Sequence, residues 1–330
     1  MTSKTKQIAL GTLLVVIVAA TFGYFYFCQP KPQTEFEKVK VAQFGDVFLY
    51  MPLYVAIDRG FFNEEGLQIE LTNTGGDDKT FAAVISGSAT FGIADPTFVA
   101  IAKEQGQGGK VIASIVNGVP FWGVTINNEI SEITDPKQLK GYSVATFPSP
   151  STAYTLQYQM FKTAGLEPNI KQGAFGTLLA MLENKQADIA LELEPNVSTA
   201  VHQGAKVLYS LAEIYGDFAI TGVTISEATA KNNPDLVKKF VRALDKSVKY
   251  SHQYPDSVAF YAEKRFANID KEIIKNAVNR IIATNTLPQN TIISKEAWEK
   301  AILLRYEAGE IKSLETARTV LDMSFSPDFN

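Results

Sequence analysis

Between Tyr50 and Leu67 the chain reads Tyr-Met-Pro-Leu-Tyr-Val-Ala-Ile-Asp-Arg-Gly-Phe-Phe-Asn-Glu-Glu-Gly-Leu, an order that dictates one local shape. Pro52 has a fixed φ and no N–H, which suits the first turn of a helix. Met51, Tyr54, Val55 and Asp58 fall at helical spacing, and Gly60 can take the left-handed position that ends a helix. Phe61 and Phe62 then pack back on the domain. Gln68 to Thr72 alternates polar and apolar residues and reads as a strand. With a strand at Val39 to Phe44 before it, the unit is strand, helix, strand, the building block of an α/β architecture.

The Gly60-Phe61-Phe62 turn and the Glu65-Gly66-Leu67 entry to the next strand carry a likeness. The stretch resembles the opening segment of the periplasmic binding proteins that feed nitrate, sulfonate, taurine and thiamine-pyrimidine ABC importers. The resemblance extends over about residues 38 to 325. It implies an α/β fold of two lobes, the type II periplasmic binding protein fold, with a two-strand hinge and a helical C-terminal part. Lobe one would take residues 38–124 and 218–330, and lobe two residues 125–217, with the crossings near Trp122 and Phe218. The implied function is that of an extracytoplasmic solute receptor, a monomer without a cofactor. It would close on a small molecule and dock on an ABC permease driven by its ATPase.

The N-terminus reads differently from the body. Lys4 and Lys6 precede an uncharged run from Gln7 to Cys28. Residues 1–28 therefore read as a signal peptide or a membrane anchor, and residues 29–37, with Pro30 and Pro32, as a linker. Cys28 is the only cysteine, so no internal disulfide can form. Lipidation at Cys28 and an uncleaved anchor are both open. Either would tether the body on the periplasmic or extracellular face of the cytoplasmic membrane. The net charge of −4 argues against nucleic acid as a partner.

Strand and helix signals alternate along the body to about residue 217. Asp77 or Asp78 can cap a helix running to about Ser86. Val111 to Val116 and Trp122 to Ile126 read as strands around an Asn117-Gly118 turn. Beyond a strand at Thr221 to Ile225 the pattern is almost wholly helical: Pro234 to Tyr254, Ser257 to Phe266, Lys271 to Ala283, Lys295 to Ala308 and Leu314 to Leu321.

A catalytic set is not legible. The two histidines, His202 and His252, fall near helix C-termini, where they favour the helix dipole. No metal-binding spacing, dinucleotide fingerprint or phosphate loop appears. These features point away from an enzyme, including one of the thiamine-pyrimidine synthase type. A membrane-tethered sensor is a further alternative, although no signalling domain follows.

A binding cleft needs aromatic walls, a few convergent polar groups and helix N-termini at the ends of strands. Candidates stand at each strand-to-helix junction. Phe44, Asp46, Phe48 and Tyr50 follow the first strand, and Gly76 and Asp77 begin the second helix. Asp95 and Thr97 follow the third strand, and Asn117, Phe121 and Trp122 lie at the expected crossing. Phe147, Ser149, Ser151, Thr152 and Tyr154 form the matching edge of the middle segment, and Glu192 and Glu194 leave its later strand. The Glu194-Pro195 step resembles one that the family places there. Plainer roles are also open: Asp77 as a helix cap, Asp95 as a turn former, Trp122 as hinge packing, Glu192 and Glu194 as exposed residues. Residues 127–217 hold no arginine, and aromatics with carboxylates suit a flat heterocycle bearing N–H groups, such as a thiamine-type pyrimidine. The alternative is nitrate, taurine or an alkanesulfonate held by backbone donors near Gly75 and Ser151. On this reading Trp122→Ala and Glu194→Ala weaken ligand binding without unfolding the protein.

Overall fold

The computed structural model describes residues 35–329. The expectations for the 1–28 segment and for Cys28, and most of the 29–37 linker, lie outside the described residues. The strands are β1 (Glu37–Gln43), β2 (Leu67–Asn73), β3 (Phe91–Ala94), β4 (Gly109–Asn117), β5 (Trp122–Thr125), β6 (Val144–Thr146), β7 (Ile170–Gln172), β8 (Ile189–Glu192), β9 (Lys206–Ser210) and β10 (Ala219–Ser226). They form two five-stranded sheets, ordered β2-β1-β3-β10-β4 and β7-β6-β8-β5-β9. In the first sheet β1 runs parallel to β2 and β3, whereas β10 is antiparallel to β3 and β4. The second sheet is likewise mixed: β6 is parallel to β7 and β8, and β5 is antiparallel to β8 and β9.

The chain leaves the first sheet after β4 and returns at β10. The crossing segments are residues 118–121 and 211–218, so the strands read around the Asn117-Gly118 turn do not pair with each other. Each has a different neighbour: β4 takes β10, and β5 takes β8 and β9. Gly118 has φ 65°, the left-handed conformation that lets the chain turn between sheets.

The helix Met51–Asp58 has proline in its first turn, and Gly60 follows it with φ 81°. Its neighbour is the amphipathic helix Pro234–Gln253, whose buried face includes Val237, Phe240, Val241, Leu244 and Val248. Ser247 Oγ donates to the carbonyl of Pro52 at 2.6 Å, joining the two helices. The Phe240 ring stacks on Phe91 of β3 at 3.9 Å between centroids and lies 4.9 Å from Phe62. The early Gly-Phe-Phe turn and the late helix thus share one core. At the far edge, Val111 of β4 bridges to Leu321, which binds the C-terminal segment to the first sheet.

Three short elements escape the sequence pattern. β7 is three residues long and reads Ile-Lys-Gln, too short for alternation to show. The helices Leu211–Tyr215 and Glu227–Asn232 are also brief, yet each is capped by a serine whose Oγ accepts a backbone N–H, Ser210 from Glu213 and Ser226 from Thr229. Among the described residues no helix is long and apolar enough to cross a membrane.

Candidate functional site

Loops from both sheets enclose a cavity of about 660 Å3. The first sheet contributes Phe44, Tyr50, Asp77, Asp78, Asp95 and Phe98. The second contributes Phe147, Ser151, Thr152, Phe175 and Leu193. Phe121 comes from the first crossing, Ile220 and Thr221 lie at the start of β10, and Arg305 reaches in from the helix Lys295–Glu307.

Asp95 and Arg305 organise the polar side. Asp95 Oδ1 accepts the Thr97 N–H at 2.9 Å and the Thr97 hydroxyl at 2.6 Å, as a carboxylate does just after a strand. Its Oδ2 accepts the Thr152 hydroxyl at 2.8 Å and Arg305 Nη2 at 2.7 Å. Arg305 is 1% exposed. It also donates through Nε to Thr97 at 3.1 Å, and through Nη1 to the Pro150 carbonyl and to Glu310, each at 2.8 Å. One guanidinium therefore ties the loop after β3 to the N-terminus of the helix Thr152–Thr163 on the opposite sheet. Both carboxylates that offset its charge are protein groups.

Asp77 does not cap its helix. Gly76 holds the capping position, and Asp77 Oδ1 instead accepts the backbone N–H of Asp95 at 3.1 Å. Burial, reinforced by the charge of Asp95, pushes the Asp77 carboxyl up to about 7. Tyr50 faces the same acids, and its phenol is raised, first by burial and then by the Asp77 charge.

Of the residues read from the sequence, Phe44, Tyr50, Asp77, Asp95, Phe121, Phe147, Ser151 and Thr152 come together around the cavity. Thr97 stands behind them, buried against Asp95 and Arg305. The others lie elsewhere. Asp46 pairs with Arg265 and bonds Asn73, and Phe48 packs on Phe266 at 5.3 Å. Gly76 serves its helix through backbone. Asn117 donates to Asp217 at 2.8 Å beside the crossings. The Ser149 N–H is bound by Gln172, and Tyr154 stacks on Tyr158.

Trp122 is 1% exposed within β5, opposite Glu192 and Ser210. Glu192 and Glu194 are neither exposed nor among the lining residues. Side chains alternate along a strand, and at this end of β8 it is Leu193 that faces the cavity. Glu194 Oε1 accepts Arg280 Nε at 2.6 Å and the Ser198 hydroxyl at 2.9 Å, so it joins β8 to the helix Lys271–Ala283.

Arg305, Phe98 and Phe175 were not legible as site residues. Arg305 lies inside a helix about 210 residues beyond Asp95 in the chain, and nothing in its local pattern separates it from a surface arginine. Phe175 had one signal, its place in Gly173-Ala174-Phe175-Gly176 after β7.

Glu192 carries a pH-dependent expectation. Its side chain is 0% exposed, Oε2 accepts from Leu193 and Asn196, and Oε1 has no partner among the described residues. Burial pushes its carboxyl up to about 7. The folded state then holds the proton more tightly than the unfolded state. Wild-type stability is therefore lost as pH rises from the ordinary carboxylate range through 7. Glu192→Gln, which cannot ionise, should be more stable than wild type by about 3 kcal/mol at pH 8 and nearly equal to it at pH 4. Urea unfolding at both pH values checks this. An equal difference at both would contradict it.

Comparison with known proteins adds a common frame. The chain is 24% identical over 305 residues to the candidate binding protein YtlA of Bacillus subtilis (strain 168), covering 89% of this chain and 90% of that one. It is 23% identical over 257 residues to the riboflavin-binding protein RibY of Chloroflexus aurantiacus, with 73% and 72% covered. The periplasmic aliphatic sulphonate binding protein SsuA from Escherichia coli superposes with a TM-score of 0.68 at 15% identity, over 86% of this chain and 91% of that one. The two sheets joined by two crossings are thus those of the periplasmic binding protein fold. Residues 48–258 match the family described as NMT1/THI5 like, and the chain belongs to that family.

Proposed function

We propose that this protein is the solute-binding receptor of an ABC importer and that its ligand is a flat heterocycle bearing N–H groups. The observation that carries the reading is the charge and shape of the cavity. Aromatic rings form its walls, Asp77, Asp78 and Asp95 face it, and Arg305 is already neutralised by Asp95 and Glu310. A small anion would meet three carboxyl groups and an arginine already paired with acids, whereas ring N–H groups would find acceptors. The name of RibY, which specifies riboflavin, supports a ring of this kind.

In this reading residues 38–124 and 218–330 move as one lobe and 125–217 as the other. They close on the solute like a hinge. Arg305, Asp95 and Thr152 belong to the closed arrangement, because Thr152 bonds both Asp95 and Arg305 across the two sheets. Residues 1–28 tether the receptor outside the cytoplasmic membrane, through lipid on Cys28 or as an uncleaved anchor. It works as a monomer, and the ligand leaves for the permease chemically unchanged.

A thermal-shift screen tests the ligand class. A solute at 100 times its Kd adds about 2.7 kcal/mol to native stability, enough to raise Tm by about 5 °C in a body of this size. Riboflavin or the pyrimidine half of thiamine is expected to give such a rise. Taurine, ethanesulfonate and nitrate are expected to give none. A rise with the anions alone would overturn the heterocycle reading.

A further inference from the structure

Phe175 is the one large apolar side chain of the cavity wall that is mostly uncovered. It is 52% exposed, whereas Phe121 and Phe147 are 8% and 9% exposed. The three rings form a row. Phe121 and Phe147 lie 5.9 Å apart and tilted by 56°, and Phe147 and Phe175 lie 6.0 Å apart and nearly parallel at 25°. Phe175 thus ends the row, with its neighbour on one side only.

The backbone around it is well held. The Gly173 N–H donates to the Thr146 carbonyl at 2.9 Å, which extends the β6–β7 pairing by one bond. Thr177 bonds the Ala174 carbonyl through both its N–H, at 3.1 Å, and its hydroxyl, at 2.8 Å. Gly176, with φ 81°, turns the chain directly after Phe175. The ring is therefore carried by an anchored turn while much of its own surface stays in water. Exposed apolar area of this size at the rim of an aromatic cavity is area that a ligand can cover.

We infer that Phe175 is a specificity-determining residue that stacks on the flat ring of the bound solute and covers it. The inference rests on the heterocycle reading above and adds the group that enforces it. A ring-bearing solute continues the aromatic row and buries Phe175, whereas a compact anion offers no face to stack on. Offset stacking and the buried area together favour the ring by tenfold or more in affinity, on the order expected for one aromatic contact.

The test is equilibrium binding of riboflavin and of the thiamine pyrimidine to wild type, Phe175→Ala and Phe175→Tyr. Urea midpoints are measured in parallel. The expected result is a Kd about tenfold weaker in Phe175→Ala for the probe that wild type binds. Phe175→Tyr should lie within about threefold of wild type, and the urea midpoints should be nearly unchanged, because the ring is half exposed. Wild-type affinity in Phe175→Ala would overturn the inference while leaving the receptor reading in place. Equal weakening in the alanine and tyrosine variants, or a matching fall in the urea midpoint, would show a structural role and overturn it as well. A wild type that binds neither probe would overturn the heterocycle reading and this inference with it.

Discussion

Arg305→Ala is expected to lower the unfolding free energy by about 3 to 5 kcal/mol, the cost of leaving a buried charge without its partner. Asp95 would keep its hydrogen bonds to Thr97 and Thr152 but lose its one ion-pair partner among the described residues, and it is 9% exposed. The Pro150 carbonyl and Glu310 would lose a donor at the same time. Lysine should not restore the loss. Arg305 uses Nε, Nη1 and Nη2 at once on groups from different directions, and an ammonium cannot reproduce that fork. The double variant Arg305→Met/Asp95→Asn removes both charges and should recover more than half of the lost stability. Urea unfolding of the three variants decides the matter. A loss below about 1 kcal/mol in Arg305→Ala, the range of an exposed ion pair, would show that this network is not structural.

Trp122→Ala is expected to cost about 3 to 5 kcal/mol, as for other large buried aromatics. Trp122 stands on β5, the strand between β8 and β9, and its indole is 1% exposed, with the Arg280 guanidinium 6.0 Å from the ring centroid. The next residue shows how tightly this strand is fitted. A Cβ on Gly123 would come within 2.1 Å of the Tyr209 ring, so that ring lies directly against the backbone of the strand, with no free space on that face. This expectation replaces the one drawn from the sequence, in which Trp122→Ala reported on the cleft without unfolding. Glu194→Ala is revised in the same way, since it would leave Arg280 and Ser198 without their acceptor. Trp122→Phe should cost less than half as much as the alanine variant. Chemical denaturation of both variants tests this, and a cost below about 1 kcal/mol for alanine would contradict the packing described.

What the sequence displayed and what it concealed divide along physical lines. The helix at Met51 to Asp58, its end at Gly60 and the strand after Gly66 were legible because proline, glycine and alternation act locally. The long helix Pro234–Gln253 was legible because its apolar spacing is regular. The first half of the candidate site was legible for a related reason. Aromatic and acidic residues just after strands, such as Phe44, Asp77, Asp95 and Phe147, gather where the ends of parallel strands meet.

The rest depended on distant partners. Asn117-Gly118 reads as a turn whether the following strand pairs with the preceding one or starts a new sheet. Glu192, Leu193 and Glu194 show alternation, but alternation does not say which face is the cavity. Here the leucine faces it, and the glutamates are buried by Asn196, Ser198 and Arg280. Arg305 carries no local mark at all, because its role comes from Asp95 and Thr152, far away in the chain.

The most direct test is a crystal structure of the protein grown with the solute that gives the largest thermal shift. The expected result is a ring between the two sheets, against Phe121, Phe147 and Phe175, with an N–H directed at Asp77. A compact anion in that position, or the solute bound anywhere outside this cavity, would contradict it.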